Sequence, residues 1–180
     1  MPIFLAAAAS GSASPPPPPA PAWLDDLIAA APPGACASGN TYTTGIEFNA
    51  LSNATIKGIR AHWGTGFAPQ TVRCSLWYAS GQSAGTLISQ EDVANVVGGT
   101  IFQTSPAFGQ HQMTQGAGYA VTISVVGIFN TAAINFPPFP SVYTNYSVIG
   151  DQSYRWWFGY GVYPISASAG NGAYVEPVFV

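Results

Sequence analysis

The pentapeptide Gly81-Gln82-Ser83-Ala84-Gly85 has the G-x-S-x-G pattern that serine hydrolases place at a sharp strand-to-helix turn. Here β-like residues flank it on both sides, and glycine and serine are ordinary residues of a hairpin turn. A catalytic triad would also need His62 or His111 with an acid such as Asp151, and nothing in the sequence places these residues together. We therefore predict a turn, and a serine esterase is a distant alternative.

Acidic residues are few, and their spacing does not favour a hydrolytic pair. Adjacent acids such as Glu91 and Asp92 point to opposite faces of a strand, whereas glycosidases need two carboxylates across a cleft. With Asn95 they are the best candidate for Ca²⁺, which takes six or more oxygen ligands. That cluster is a minor alternative, and we predict no metal, no cofactor, no catalytic residue and no enzymatic activity.

Six aromatic side chains lie within the ten residues that surround Arg155. A strand divides such a run between its two faces, so many of the rings are expected in a core. Exposed tryptophan and tyrosine rings stack on sugars and anchor protein interfaces. We predict a glycan or partner platform formed by Trp157, Tyr160, Tyr163 and Arg155.

Residues 1–35 have the composition of an extended arm rich in alanine, serine and proline. Five consecutive prolines favour a polyproline II rod, which either docks in a groove of another protein or serves as a solvated linker. Apolar residues at i, i+1, i+4 and i+5 then predict a short helix within 22–31, which Pro32-Pro33-Gly34 must end. The helix packs either on its own domain or on a neighbouring subunit. The candidate assembly anchor comprises Pro15, Pro16, Pro17, Pro18, Pro19, Trp23, Leu24, Leu27 and Ile28.

Charged residues make up only 6% of the chain, against about 25% in ordinary domains. Four cations, a net charge of -3 and no basic cluster exclude nucleic acid as the main partner. An uncharged polar surface is typical of proteins that work outside a cell or inside a large assembly. We therefore expect a virion or extracellular location.

The longest apolar run, Ile3 to Ala9, is far short of the roughly 18 residues that span a bilayer, so we predict no membrane span. Residues 1–13 resemble a signal peptide in their apolar and small residues but lack its basic start, which leaves secretion as an alternative. Cys36 and Cys74 are wrongly spaced for a zinc site. They form either one disulfide or two separate buried thiols.

From residue 40 onward, short β-rich runs alternate with Gly, Pro, Asn and Ser, which predicts a single antiparallel β-sandwich over 40–180, jelly-roll-like, behind the Pro-rich arm. Val72, Cys74, Leu76 and Tyr78 form the clearest inward face, whereas the alternation in 53–63 is imperfect. Asn171-Gly172 predicts a tight turn before the last strand, and 137–140 predicts a loop. The predicted strands lie near 42–50, 53–63, 70–79, 85–90, 99–104, 118–126, 143–149, 153–160 and 173–180.

Several strings in this order resemble a bacterial β-sandwich domain of unknown function that is often appended to secreted or cell-surface proteins. They are the runs 42–48 and 54–60, the tripeptide Ser75-Leu76-Trp77, the run 159–164 and the closing run 171–179. The resemblance covers about residues 40–180 and implies a β-sandwich without established catalytic residues. Glu176-Pro177 and the segment 129–146 depart from the family pattern.

The sequence thus favours a non-enzymatic structural or interaction protein, and we predict a virion-associated decoration, spike or fibre subunit. Its N-terminal arm would bind other subunits of a large assembly. The alternative is a secreted carbohydrate-binding module that recognises a cell-surface glycan through exposed Trp and Tyr.

Overall fold

The computed structural model describes residues 23–30, 41–62, 68–79, 85–126, 131–133, 141–148, 154–167 and 171–180. These residues form one α-helix, α1 (Trp23–Ala30), one 3-10 helix, η1 (Pro106–Phe108), and fourteen strands. The strands are β1 (Thr41–Ala50), β2 (Thr55–His62), β3 (Gln70–Tyr78), β4 (Thr86–Val96), β5 (Ile101–Gln103), β6 (His111–Gln112), β7 (Gly118–Val126), β8 (Thr131–Ala133), β9 (Ser141–Val142), β10 (Tyr146–Val148), β11 (Tyr154–Phe158), β12 (Ser166–Ala167), β13 (Asn171–Ala173) and β14 (Val175–Phe179).

Two antiparallel sheets pack against each other, which confirms the predicted all-β sandwich. The larger sheet has the order β12-β11-β1-β7-β3-β4, and β10 with β9 extends it beside the end of β1. The smaller sheet has the order β14-β2-β5, and β6 also pairs with β2. The short pair β8-β13 lies outside both sheets.

The core lies between the two sheets and follows from the period-two alternation of the central strands. Val72, Cys74 and Leu76 of β3 are buried, as predicted, while Tyr78 at the end of the strand is exposed. Ser75 and Trp77, on the opposite face of β3, are buried as well. The larger sheet is therefore covered on its outer face too, which simple alternation did not predict.

A β-bulge in β2 explains why the alternation there is imperfect. Phe179 of β14 pairs with Ile56 and Val178 pairs with Gly58, so Lys57 is an extra residue on β2. The extra residue shifts the pattern by one position. Ile56, Ile59 and Ala61 are all buried, and Lys57 points to solvent.

The C-terminal region corrects one prediction. Asn171-Gly172 is not a tight turn but part of β13, where Gly172 pairs with Ala132 of β8. Both residues tolerate turn conformations but do not require them, and a ladder partner from a distant segment decides the outcome. The predicted closing strand is present as β14, which pairs with β2, and Pro177 lies at the edge of the smaller sheet, where it leaves no interior ladder bond unmade.

The folded domain begins earlier than the predicted boundary at residue 40. Helix α1 lies inside the predicted 22–31 and packs against β14 and β2, with its apolar side chains in the main core. The predicted loop at 137–140 lies outside the described residues. No helix among the described residues is long and apolar enough to cross a membrane.

Candidate functional site

The apolar face of α1 is buried in the protein's own core. Trp23, Leu24 and Leu27 are at most 1% exposed, and Ile28 is partly buried. The hypothesis that these side chains anchor the protein on a neighbour is therefore wrong for the first three, and the alternative of packing on its own domain holds. An isolated eight-residue helix is marginal in water, so the nearest apolar surface stabilises it.

Two distant side chains satisfy the first backbone donors of α1. The Leu24 N–H donates to Oε2 of Glu176 at 2.9 Å, and the Trp23 N–H donates to the hydroxyl of Tyr146 at 3.3 Å. Unpaired N–H groups at a helix start attract a carboxylate because the helix dipole is positive there. The helix is thus capped by strands that follow it by more than a hundred residues.

Arg60 joins the cap to the side chains of the helix. Its Nε donates to Oε1 of Glu176 at 2.7 Å, and its Nη2 lies 2.9 Å from Oδ2 of Asp25. Tyr143 adds a hydrogen bond from its hydroxyl to Asp26 at 3.1 Å. We call α1 with Arg60, Tyr143, Tyr146 and Glu176 the helix junction.

Burial controls the ionisation of this junction. It raises the pKa of Glu176, because the Leu24 N–H and Arg60 offset only part of the desolvation. For Arg60, burial lowers the pKa, but the hydrogen bond to Asp25 and the charge of Glu176 outweigh it, and the net pKa is raised. Burial also raises the pKa of Tyr146. In the helix junction the protonated form of Arg60 is therefore stabilised, whereas the ionised form of the buried Glu176 is destabilised.

Sequence reasoning missed the helix junction, although one signal was available. Arg60 and Glu176 are two of very few charged residues, and each lies in a β-rich run. Pairing the closing strand with β2 makes them direct cross-strand partners. Only the register of that pairing identifies the contact.

A segment that we call the outer strap, residues 159–165, crosses the outer face of the larger sheet. Tyr163 is buried there, with its ring edge-on to Trp77 at 5.6 Å between centroids and its hydroxyl donating to Glu47. Gly85 makes room for this ring, because a Cβ at that position would collide with it. The prediction of Tyr163 as an exposed platform residue is wrong, because its ring packs with Trp77 and Ala120 in a second, small hydrophobic core on this outer face.

Hydroxyl groups hold the outer strap to the sheet. Thr43 Oγ1 donates to the carbonyl of Gly159 at 2.9 Å, and the Gly161 N–H donates to Ser124 Oγ at 3.0 Å. The two hydroxyls are 2.6 Å apart and hydrogen-bonded to each other. Small polar side chains on β1 and β7 thus form the bed on which the strap lies.

Of the other platform residues, Trp157 has an exposed ring. It is 37% exposed on β11, whereas Tyr160 is half-buried beneath Arg73, whose guanidinium carbon lies 4.9 Å from the ring centroid. Arg73 also makes two hydrogen bonds to Asp92, at 2.7 and 2.8 Å. This hydrogen bonding holds the pKa of Asp92 below its usual value. Arg155 lies in β11, and its side chain is outside the described residues. The structure therefore does not bring the predicted platform together as one exposed surface.

The candidate calcium cluster is divided between two contacts. Glu91 accepts a hydrogen bond from the backbone of Ser105, while Asp92 on the other face of β4 binds Arg73. No group of three or more His, Cys, Asp or Glu side chains in the described part of the chain is arranged to hold a metal. The two acids thus stabilise the fold at separate places.

His111, a candidate for catalysis, and Cys74, a candidate for a disulfide, lie in different environments. The ring of His111 packs against Tyr78 and Tyr119, and burial lowers its pKa. Cys74 is a buried thiol, and burial raises its pKa. The other candidate residues of the sequence analysis lie outside the described residues. They are Pro15–Pro19, Cys36, Ser83 and Asp151.

No family model, curated protein or solved structure matches this chain. The resemblance to a bacterial β-sandwich domain of unknown function therefore stays a prediction. What the chain does must be inferred from its own surfaces and contacts.

Proposed function

We propose that the protein is a non-enzymatic structural subunit whose N-terminal arm fastens it to other subunits of a large assembly. An accessory decoration, spike or fibre protein of a virion would work in this way. The observation that carries the proposal is the helix junction, because it joins the end of the arm directly to the core of the sandwich.

A tether transmits force only if its end is fixed to a folded body. Trp23 and Leu24 follow the proline run of the arm in the sequence, and both are buried and hydrogen-bonded through their backbone to side chains of β10 and β14. A pull on Pro15–Pro19 is therefore passed to both the smaller and the larger sheet. Such a connection suits an arm that bears load better than it suits a solvated linker.

The composition of the surface supports the same function. With 6% charged residues, the protein relies on hydroxyl and amide groups for solubility, and such a surface has little long-range electrostatic interaction with free partners. A subunit held permanently by its arm does not need electrostatic steering. This agrees with the proposed virion or extracellular location.

The structure also defines the truncation that tests the arm. Removing residues 1–22 leaves α1 in place, whereas a longer deletion would take Trp23 out of the core. We would express the full chain and residues 23–180 in the organism from which the sequence comes, each with a tag after the exposed Val180. A density gradient then separates assembled particles from free protein. A full-length variant with Pro15–Pro19 replaced by glycine and serine is the matched control for arm length.

We expect the full chain to sediment with particles and the shortened chain to stay at the top with an unchanged melting temperature. The glycine-serine variant should sediment less than the full chain, since glycine and serine lack the preorganised extended conformation that consecutive prolines favour. Equal sedimentation of the full and shortened chains, in either position, would overturn the proposal.

A carbohydrate-binding module is the second candidate, and the exposed ring of Trp157 favours it. The neighbouring Phe158, 50% exposed on the other face of β11 and packed on Tyr42, offers a matched control. Binding on a glycan array that Trp157→Ala abolishes and Phe158→Ala retains would support this function. Absence of any binding by the folded protein would dismiss it.

A further inference from the structure

A cleft of about 310 Å³ opens beside the smaller sheet, next to the helix junction, because its lining residue Gln103 pairs with Arg60. Pockets for small molecules begin at about this size, so the cleft fits one ring-sized ligand. The lining residues are Lys57, Gln103, Thr104, Ser105, Pro106, Gly109 and Gln110.

The β-bulge of β2 forms one wall of this cleft. As the extra residue of the strand, Lys57 leaves the ladder and is exposed at the cleft. Next to it, Gly58 lets Thr104 approach so closely that a Cβ would lie 2.5 Å from its Oγ1. Thr104 Oγ1 then accepts the Ile59 N–H at 2.9 Å, and the Thr104 N–H donates to the Ile59 carbonyl at 3.0 Å. This wall is rigid.

The opposite wall is the loop that carries η1, and the edge of β4 holds it in place. Glu91 accepts the Ser105 N–H at 3.0 and 3.1 Å, and Ser89 donates its hydroxyl to the carbonyl of Phe108. Phe108 itself is buried in the main core. Gly109 turns the chain at a φ of +84°, which favours glycine. The cleft is therefore formed before any ligand arrives.

The chemistry of the lining selects a carboxylate with several hydroxyl groups. Lys57 is the lining cation, and no salt bridge to it is found among the described residues, in contrast to Arg60 and Arg73. The exposed amides of Gln103 and Gln110 both donate and accept hydrogen bonds, as sugar hydroxyls require. A phosphate favours several cations or a bidentate arginine. An amino acid would leave its ammonium without a counter-charge, because no lining residue is acidic.

We propose that this cleft binds an acidic monosaccharide unit such as a hexuronate. Lys57 binds the carboxylate, and the two glutamines with Ser105 bind the ring hydroxyls. The inference does not depend on the arm, and a subunit fastened by its arm would present this cleft to an acidic surface glycan.

The test is a titration of the full-length, isotopically labelled protein, followed by the backbone amide signals of the cleft in NMR spectra. The probes are glucuronate, glucose as its neutral counterpart, and inorganic phosphate. We expect saturable shifts at Gln103, Ser105 and Gln110 with glucuronate, and affinity for glucose lower by about tenfold or more, since a charged hydrogen bond is lost.

Substitutions of the cleft sharpen the test. Lys57→Gln should weaken glucuronate binding by about tenfold or more, and Lys57→Arg should retain most of it. Gln112→Ala changes an exposed amide outside the cleft and should change nothing. Because Lys57 is exposed, each variant should keep the melting temperature of the parent.

Three results would overturn the proposal. They are an absence of saturable shifts with glucuronate, equal affinity for glucose or tighter binding of phosphate, and unchanged glucuronate affinity in Lys57→Gln. Loss of particle binding on removal of the arm would leave these results unaffected, so the two proposals fail separately.

Discussion

The helix junction and the outer strap both fasten a short segment to a sheet, but they use different chemistry. Helix α1 places three large apolar side chains in the main core, and the buried Glu176 of β14, paired with Arg60 of β2, caps it. The strap places Tyr163 in a small separate cluster and otherwise relies on hydroxyl groups. Since stability follows the apolar area that is buried, the helix is integral to the fold and the strap is an addition to it.

The largest expected effect is at the core of the helix junction. Leu27→Ala should lower the free energy of unfolding by about 3 kcal/mol, because it removes a fully buried side chain and leaves a cavity. Urea denaturation measures the loss. Ile28→Ala, on the same helix but only partly buried, should cost about 1 kcal/mol. A loss for Leu27→Ala as small as the one expected for Ile28→Ala would show that α1 is not integral to the fold.

Arg60→Met tests the charged part of the same junction. It leaves Glu176 buried without its main cation, and we expect a loss of about 3 kcal/mol near neutral pH. Urea denaturation again gives the measurement. A loss below that of Arg73→Met, which breaks an exposed pair, would contradict the importance of the buried contact.

The pH dependence of Arg60→Met has a definite sign. Because the pKa of Glu176 is raised above 4.5 in the folded protein, its stabilising contribution is fully present below 4.5 and is lost as the pH rises through the folded value. Removing Arg60 raises that pKa further. The difference in free energy of unfolding between the parent and Arg60→Met should therefore become smaller when urea denaturation is repeated at acidic pH. A difference that does not change with pH would contradict this prediction.

For the outer strap we expect a smaller and more local effect. Tyr163→Ala should cost about 2 kcal/mol and move the fluorescence of Trp77 to longer wavelength, since water reaches the indole. Tyr163→Phe keeps the ring, loses the hydrogen bond to Glu47 and should cost about 1 kcal/mol. If Tyr163→Ala unfolds the whole domain, the two regions do not differ as we infer.

The smallest effect is expected for Arg73→Met, which removes the ion pair with Asp92. Asp92 is 44% exposed in its side chain, so solvent screens the pair and the loss should be about 0.5 kcal/mol. The pKa of Asp92 is lowered from 3.8, so its contribution is present above 3.8 and lost as the pH falls through the folded value. The deficit of Arg73→Met relative to the parent should therefore be present at neutral pH and absent at low pH, which thermal unfolding at both pH values measures.

Much of the fold was predictable because short-range pattern determines it. The strands over 42–50, 70–79 and 118–126 were predicted within one residue of each bound, since alternation and turn residues are local signals. The extent of β4 to Val96 was missed, since that stretch carries acids and a residue in the left-handed region, Asn95 at a φ of 56°. Its pairing with β3 overrides those local preferences.

The candidate site was less predictable because it depends on long-range contacts. The sequence correctly indicated an apolar helix face at Trp23 and Leu27, but not the surface that covers it. It also could not indicate that a strap would bury Tyr163 on the outer face of the sheet. The cleft at Lys57 depends on a bulge, whose only trace in the sequence is the imperfect alternation of β2.

The long separation between α1 and its caps has a consequence for how the chain folds during synthesis. Leu24 and Glu176 are 152 residues apart, and Glu176 lies in β14, which follows all the other strands along the chain. Helix α1 leaves the ribosome before every strand of the sandwich and cannot complete its contacts until β14 has emerged. The domain therefore closes in one late step, and a chain cut short before β14 would lose its first helix together with its last strand.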